Sequence, residues 1–308
     1  MLHHLLILLL LPVAWQCSNK KGRCVADQSK PQLPTHYRRL YYIIAAFYKK
    51  GGSMKILQIN EIRKAYFLKA FGRVPEDMLI ISMGACNYNC SYCKRDGQFK
   101  GNGNSILNAY DVAMDEIFGV IDKHITAGHR IRLSGGDPCM FPSESLQIAK
   151  YCWNKHGQKI SLAHNGSSPS LICTLLPYLD YVAIDFKGAT PEEIARRSNT
   201  LVNPASIGNI MQIIDMCQQT GVLVDIRTVI FGDTDTDDLG SIGHKLSAYN
   251  NVFWTLRKYN PVIGCDFLPA ENDIRVMADR LSNTYNIPVG YRDKWTGCNF
   301  YISYQFCA

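Results

Sequence analysis

The stretch MLIISMGACNYNCSYC, residues 78–93, joins a short apolar run to a polar loop that holds three cysteines. The apolar part, MLIISM at 78–83, has the length and the aliphatic content of a buried strand. The loop places Cys86, Cys90 and Cys93 within eight positions. A lone cysteine packs as a small hydrophobe, but three cysteines in C-x3-C-x2-C spacing among polar residues indicate a metal or cluster site.

Two kinds of site use closely spaced cysteines, a structural zinc site and an iron–sulfur cluster. Structural zinc usually takes four ligands from two paired arms, and no second C-x2-C or H-x3-H arm follows in this sequence. Three thiolates can instead hold a [4Fe–4S] cluster and leave one iron open to a small-molecule ligand. The spacing by itself permits both sites, and the missing second arm favours the cluster.

The chain from residue 78 onward alternates short apolar runs with amphipathic stretches. The predicted strands cover residues 78–83, 130–134, 159–164, 181–186, 222–231 and 252–259, and a last strand is predicted at 287–291. The predicted helices cover residues 109–127, 143–156, 205–219 and 271–285, with shorter ones after residue 168 and from the acidic run at 233–239. Six strand–helix repeats predict an α/β domain with a parallel sheet covered by helices, either an open doubly wound sheet or a barrel.

Polar motifs follow the predicted strands at their carboxyl ends, where parallel α/β folds bind ligands. Besides the cysteine loop these are SGGDP at 134–138, HNGSS at 164–168, DFKG at 185–188 and RKYNP at 257–261. Gly135 and Gly136 permit a close backbone approach, and Asp137 can accept a hydrogen bond from an ammonium group. Lys187 can hold a carboxylate. These groups predict an amino acid bound through both of its ends.

Charge is distributed unevenly along the 308 residues. Eight of the 33 basic residues but only one of the 26 acidic residues precede Met54, and this excess accounts for the whole net charge of +7. The remainder of the chain is neutral. Net charge therefore predicts no nucleic-acid surface.

Residues 1–53 differ in composition from the rest of the chain. LLILLLLPVAW at 5–15 is too short to span a bilayer and is compatible with a signal-peptide core, although no Lys or Arg precedes it. KKGGSM at 49–54 is the translation of a purine-rich ribosome-binding sequence read in frame before a start codon. We therefore expect residues 1–53 to be an N-terminal extension from a mis-assigned start. Residues 54–308 are expected to form one domain, without stable membrane association.

CNYNCSYC at 86–93, with aromatic Tyr92 before the last cysteine, resembles the C-x3-C-x-aromatic-C signature of the radical S-adenosylmethionine (SAM) superfamily. SGGDP resembles that superfamily's Gly-Gly-Glu motif after the second strand. NGSS at 165–168, DYVAIDFKG at 180–188, IRTVI at 226–230 and KYNP at 258–261 are similar to stretches of glycyl-radical activating enzymes, those of anaerobic ribonucleotide reductase and pyruvate formate-lyase. The resemblance covers about residues 78–261.

The resemblance implies a partial (β/α)6 TIM-like barrel that binds a [4Fe–4S] cluster and S-adenosylmethionine. An electron from the cluster, delivered by a flavodoxin- or ferredoxin-type donor, would cleave S-adenosylmethionine to methionine and a 5′-deoxyadenosyl radical, which abstracts hydrogen from the substrate. In the activating enzymes that hydrogen belongs to a glycine of a partner protein. A ribosomal peptide or a small metabolite is the alternative substrate. A non-catalytic iron–sulfur electron-transfer protein is the alternative function.

Carried over residue by residue, the resemblance assigns Cys86, Cys90 and Cys93 to the cluster. The residues it assigns to S-adenosylmethionine are Tyr92 in the cysteine loop, Gly135, Gly136 and Asp137 at the amino group, Asn165 near the ribose, the Asp185 and Lys187 pair, and Arg227 on the fifth strand. The sequence departs from the family pattern at Asp137, which replaces the usual Glu. It also departs at Ala163-His164, where activating enzymes often have Asp-Thr.

Some of these residues also have ordinary structural explanations. Arg227 can pair with Asp225 on the same strand face, and His164 is expected to be a packed residue and not a ligand. The other cysteines fall into predicted core thiols, Cys152, Cys173 and Cys217, and open candidates for a second cluster, Cys139, Cys298 and Cys307. Since the sequence has no C-x2-C-x2-C-x3-C insert, one cluster is expected. Many free thiols predict a cytoplasmic protein.

Overall fold

The strands form one ten-stranded sheet in the part of the chain that a computed structural model describes, residues 52–93, 106–262, 264–292 and 300–303. They are β1 (Ser53–Lys64), β2 (Asp77–Met83), β3 (Tyr110–Ala113), β4 (Arg130–Gly135), β5 (Ile160–His164), β6 (Leu179–Asp185), β7 (Leu223–Ile230), β8 (Val252–Lys258), β9 (Val289–Arg292) and β10 (Phe300–Ile302). Their order across the sheet is β10-β9-β8-β7-β6-β5-β4-β2-β1-β3. The pairs from β2 to β9 are parallel, and β1, β3 and β10 add antiparallel edges.

Helices connect the parallel strands. They are α1 (Met114–Thr126), α2 (Pro142–His156), α3 (Pro169–Leu175), α4 (Pro191–Ser198), α5 (Ser206–Thr220), α6 (Thr236–Leu246) and α7 (Ile274–Tyr285). The side chains of Ser168, Thr190 and Asp235 each accept a backbone hydrogen bond at a helix start, which explains where α3, α4 and α6 begin. The prediction of an α/β fold with a partial (β/α)6 barrel is confirmed. The sheet is not closed, since β3 and β10 are its two ends.

The two faces of the sheet carry different side chains. On β7, Val224 and Ile226 point to the helices and are fully buried in the main core. Asp225 and Arg227 alternate with them and therefore face the concave side of the sheet. The helices pack on the convex face, so the concave face encloses the barrel interior.

A short 3-10 helix, Tyr66–Phe71, lies at the amino ends of the parallel strands. Its Phe67 packs against Tyr181 of β6 and Phe253 of β8, with ring centroids 5.2 and 6.1 Å apart. Ile302 of β10 belongs to the same apolar cluster. This cluster fills the amino end of the barrel, and the carboxyl end is left for the polar motifs.

Most predicted elements are confirmed within two or three residues, including the last parallel strand, β9. The predicted helix at 109–127 begins too early, because residues 110–113 pair with β1 as strand β3. Strands β1 and β10 and helix α4 were not predicted. Cys173 was predicted as a core thiol and is exposed, because the short α3 buries Leu171, Ile172 and Leu175 on its other face.

The extension proposed for residues 1–53 lies outside the described residues up to position 51. Ser53 is already the first residue of β1, and Met54 is buried in the main core. The start at Met54 stays a prediction. None of the helices in the described ranges has the combined length and hydrophobicity of a membrane-spanning segment.

Candidate functional site

A cavity opens at the carboxyl ends of the parallel strands and encloses about 1180 Å³, part of it open to solvent. Its wall contains all eleven residues predicted for the site, which are Cys86, Cys90, Tyr92, Cys93, Gly135, Gly136, Asp137, Asn165, Asp185, Lys187 and Arg227. These residues come from the cysteine loop, from the carboxyl ends of β4, β5 and β6, and from the middle of β7. The structure therefore brings the set together, and the contacts of each residue with a cofactor stay predictions.

The two glycines at the carboxyl end of β4 lie directly against the backbone that leads into the cysteine loop. Gly136 N donates to Met83 O at 2.8 Å, and Asp137 N donates to Ala85 O at 2.7 Å. Gly135 has a φ of +101°, and a Cβ atom there would lie 2.1 Å from Met83 N. A Cβ on Gly136 would lie 1.9 Å from Ala85 O. Only glycine fits at these positions, because the two backbones touch.

The buried carboxylate of Asp137 links the ends of β4 and β5. Its Oδ1 accepts from His164 Nδ1 at 2.7 Å and from Cys139 N at 2.9 Å, and its Oδ2 accepts from Asn165 N at 2.8 Å. His164 Nε2 accepts from Ser168 N at 3.0 Å, so the imidazole proton is on Nδ1. His164 is thus a packed residue, as predicted. Burial would raise the pKa of Asp137, but His164 and the hydrogen bonds lower it below its usual value.

These contacts bear on the ammonium group that the sequence assigned to Asp137. A carboxylate offers about four lone-pair sites, and three protein donors already use the carboxylate of Asp137. An ammonium contact stays a prediction and would use the remaining site. The potential ligand atoms of Asp137, Cys139 and His164 lie within 4.8 Å of one another, but both His164 nitrogens are bonded within the protein. This trio is therefore a hydrogen-bond network of the fold.

The three cysteines of the loop lie at the cavity wall, and none of them forms a disulfide. Asn165 Nδ2 donates to Asn87 Oδ1 at 2.6 Å and lies 3.9 Å from Cys86 Sγ, which fixes the loop to the end of β5. Burial raises the pKa of Cys86 and of Cys90. Thiolates here require a positive charge beside them, which the iron of a bound cluster would supply. The donor set and its burial thus fit an iron–sulfur cluster. Cys298 and Cys307 lie outside the described residues.

Lys187 lies two residues beyond the end of β6. Its Nζ is 3.2 Å from Asp185 Oδ2 and 3.3 Å from the Tyr92 hydroxyl oxygen, and it lies 5.6 Å from the centre of the Tyr92 ring. Burial away from water would lower the pKa of Lys187, but Asp185 and Tyr92 raise that pKa well above its usual value. The lysine is a cation fixed next to the cysteine loop.

Arg227 forms the ion pair with Asp225 that the sequence allowed, at 2.7 Å, and also lines the cavity. Two further arginines of the cavity wall, Arg257 and Arg292, were not predicted as site residues. A signal was available for Arg257, since it lies two residues after Thr255 on β8 and therefore shares the concave face. Arg292 ends β9, and the strand signal of that segment is weak.

Comparisons with known proteins agree with this arrangement. The chain is 26% identical over 209 residues to a Methanocaldococcus jannaschii protein with the provisional name glycyl-radical enzyme activating enzyme, covering 64% of this chain and 81% of that protein. It is 24% identical to 7-carboxy-7-deazaguanine synthase of Methanothermobacter thermautotrophicus, covering 56% and 69%. A radical SAM methyltransferase from Sphaerobacter thermophilus has a similar fold, with a TM-score of 0.55 at 16% identity, covering 71% of this chain and 67% of that one.

A family model extends the agreement to the motifs themselves. The model of the radical SAM superfamily matches residues 80–241, which is just over half of the chain and includes the cysteine loop and the SGGDP motif. Members of this superfamily use a [4Fe–4S] cluster and S-adenosylmethionine, and the recognition from sequence is confirmed. This chain belongs to the radical SAM superfamily.

Proposed function

We propose that this protein reductively cleaves S-adenosylmethionine and uses the resulting 5′-deoxyadenosyl radical to abstract a hydrogen atom from a substrate. The convergence of all eleven predicted residues on one cavity carries this proposal. When bound, the [4Fe–4S] cluster supplies the electron that splits the sulfonium into methionine and the radical. A protein of electron transfer alone would need no SGGDP turn and no Asp185–Lys187 pair beside the cluster loop.

The residues of the chain bind and orient the reactants. Cys86, Cys90 and Cys93 would hold the cluster through their thiolates. Gly135 and Gly136 expose backbone groups to the amino end of S-adenosylmethionine, and Lys187 offers a cation for its carboxylate. Behind the cysteine loop, the Tyr92 ring packs against Phe231 and Phe267, with centroids 5.0 and 6.0 Å apart, and keeps water from that side of the loop.

Two substrate classes have specific support. The 26% identity to a glycyl-radical enzyme activating enzyme favours a glycine Cα of a partner protein, such as anaerobic ribonucleotide reductase. The identity to 7-carboxy-7-deazaguanine synthase favours a small metabolite. A ribosomal peptide is the third substrate class that we propose. In each case we propose a flavodoxin- or ferredoxin-type electron donor and a reducing, cytoplasmic location, which the eight cysteines outside disulfides among the described residues favour.

The test is anaerobic reconstitution with iron and sulfide, followed by an assay for 5′-deoxyadenosine with a chemical reductant. The wild-type chain should bind about four irons and form 5′-deoxyadenosine. Cys90→Ala should lose the cluster and all turnover. Cys173→Ala, which changes an exposed free thiol, should keep both. A Cys90→Ala protein with four irons and full turnover would contradict the site assignment.

A second experiment separates the substrate classes. The glycyl-radical enzyme encoded nearest to this gene is incubated anaerobically with the reconstituted chain and S-adenosylmethionine. A glycyl radical in its electron paramagnetic resonance spectrum would support the activating enzyme. Continued 5′-deoxyadenosine formation without such a radical would favour the small metabolite.

A further inference from the structure

We call the cavity that contains the eleven predicted site residues the upper cavity. A second chamber lies below it, toward the amino ends of the strands. It shares four wall residues with that cavity, which are Ser134, Arg227, Arg257 and Arg292. We call this space the lower chamber. Its basic wall residues are Arg63, Lys64, Arg132, Arg227, Arg257 and Arg292, whereas Asp225 is the acidic residue among the described residues that line it. The lower chamber therefore has a strong excess of positive charge.

At least three of these cations form ion pairs with a carboxylate close to the chamber. The pairs are Arg63 with Glu61, Lys64 with Asp77 and Arg227 with Asp225. Such pairing compensates the charge of these three residues without any ligand. The strongest indication of a ligand comes from another residue of the wall, Arg132.

Arg132, on the concave face of β4, is deeply buried, at 4% exposure. Its Nη1 donates to Met78 Sδ at 3.8 Å, and its Nη2 makes no hydrogen bond to a described residue. Burial, with a smaller effect of the Arg227 charge, lowers the pKa of Arg132 to about 9. The Asp225 charge acts on Arg132 in the opposite direction, but Asp225 is already paired with Arg227, and Arg132 forms no ion pair with a described carboxylate. A buried cation in this situation destabilises the folded chain, so its presence indicates a ligand that brings negative charge.

Arg257 and Arg292 are register partners on the adjacent strands β8 and β9. Both line the two spaces, so their guanidinium groups are near each other on the concave face. Burial, followed by the charge of Arg227 and then that of Arg292, lowers the pKa of Arg257 to about 9. Like charges side by side on a sheet are destabilising, and the planar guanidinium forks match a carboxylate or a phosphate.

We propose that the lower chamber binds an anionic group of the substrate, a carboxylate or a phosphate, through Arg132, Arg257 and Arg292. This proposal rests on the proposed function, because it assumes that the substrate binds beneath the place where the 5′-deoxyadenosyl radical forms. The shared wall lets one molecule place its anionic end in the lower chamber and its reacting C–H bond in the upper cavity. A small acidic metabolite meets this requirement, whereas a glycine within a polypeptide backbone has no such charge.

The test measures thermal unfolding of the reconstituted full chain with inorganic phosphate and, separately, with malonate. For the wild type, at least one of the two anions should raise the melting temperature saturably. Arg257→Gln should weaken the binding of that anion at least tenfold. Arg132→Met should abolish the response and also make the anion-free chain more stable, since it removes a buried charge. A purely structural role for Arg132 would give the opposite, a loss of stability.

Arg280→Gln is the matched control, because it removes an exposed arginine of α7 that lines neither space. It should leave the anion response unchanged. A larger shift with phosphate indicates a phosphate ester, and a larger shift with malonate indicates a carboxylic acid. If neither anion acts, or if the response survives in Arg132→Met and Arg257→Gln, the anion site is refuted. Formation of 5′-deoxyadenosine by the wild type tests the proposed function separately.

Discussion

The convex and concave faces of β7 share one backbone but are held by different interactions. Val224 and Ile226 on the convex face are fully buried against the helices. Asp225 and Arg227 on the concave face form an ion pair, and Thr255 Oγ1 donates to Asp225 Oδ1 at 2.5 Å. Apolar burial thus holds the convex side together, whereas polar contacts and close backbone packing arrange the concave side. Substitutions on the two faces should therefore affect different properties.

The largest effect should come from Gly135→Ala, at the top of the concave side. The new Cβ would lie 2.1 Å from Met83 N, so the SGGDP turn and the cysteine loop have to separate. Backbone atoms cannot move aside as side chains do, and φ is +101°. We expect a loss of about 3 kcal/mol or more in the free energy of unfolding, together with loss of bound iron.

Gly128→Ala is the control for backbone conformation alone. Gly128 also has a positive φ, +86°, but no atom lies within 4 Å of the position that a Cβ would take there, so only the strain of the left-handed region applies. Its cost should be about 1 kcal/mol, with full iron content. Equal losses in urea unfolding of the two variants would show that the close approach at Gly135 is unimportant.

Asp137→Asn should have the next largest effect. Asn replaces one acceptor oxygen by a donor, which then faces the N–H of Asn165 or of Cys139, and the charge is lost. Hydrogen bonds to a charged group contribute about 1.5–3 kcal/mol, so we expect a loss of about 2 kcal/mol at pH 7. Asp235→Asn, at the exposed start of α6, should be neutral, because Asn caps a helix as well as Asp does.

The pH dependence of that loss follows from the lowered pKa of Asp137. A carboxyl group whose pKa is lower in the folded state stabilises the protein above its unfolded pKa of about 3.9. The stabilisation disappears as the pH falls through the lower folded pKa. Urea unfolding should therefore give a constant difference between wild type and Asp137→Asn from about pH 8 to about pH 5, and a smaller one below about pH 4. A difference that grows on acidification would contradict this.

The comparison of the two faces also explains what the sequence predicts well. The convex face needs only apolar residues at alternate positions, so runs such as YVAIDF at 181–186 predict strands and their order. The cysteine loop and SGGDP are local motifs, and each can be recognised in the sequence without knowledge of the fold. Strand β1 is harder to predict, because exposed polar residues interrupt its hydrophobic pattern and only its first four residues also pair with β3.

The lower chamber could not be predicted from local sequence. Arg132, Arg257 and Arg292 come from three separate strands, and of the three only Arg257 belongs to a polar motif that the sequence marks, RKYNP at 257–261. These residues come together only because β8 pairs with β9, with Arg257 opposite Arg292, and because the apolar cluster closes the amino end of the barrel. The same holds for Asp137, whose three donors come from residues up to 28 positions away. Long-range pairing decides these contacts.

Val224 and Val229 place one residue type on the two faces of one strand. Val224 is fully buried among the helices, whereas Val229 is half-buried and lines the cavity. Val224→Ala should cost about 2 kcal/mol, since it creates a void in a dry core. Val229→Ala should cost about 1 kcal/mol or less, because it enlarges an existing cavity. Urea unfolding of the two variants checks this, and equal costs would remove the distinction between the faces.

The smallest effect should come from Tyr92→Phe, in the cysteine loop. The Tyr92 hydroxyl oxygen accepts from Lys187 Nζ at 3.3 Å, but Asp185 Oδ2 accepts from the same Nζ at 3.2 Å. The ring, which packs against Phe231, is unchanged in phenylalanine. The lysine cation keeps Asp185 as its partner after the hydroxyl is removed, so stability should fall by about 1 kcal/mol or less, and iron content should stay at the wild-type level.

Tyr88→Phe is the control for Tyr92→Phe, because Tyr88 lies in the same loop and lines the same cavity, while its hydroxyl makes no hydrogen bond to a described residue. Urea unfolding and iron analysis of both variants should give differences that are small and close to each other. If Tyr92→Phe alone loses its iron, the hydroxyl contact with Lys187 positions the cysteine loop. The polar contacts of the concave side would then outweigh ring packing even where both act on one residue.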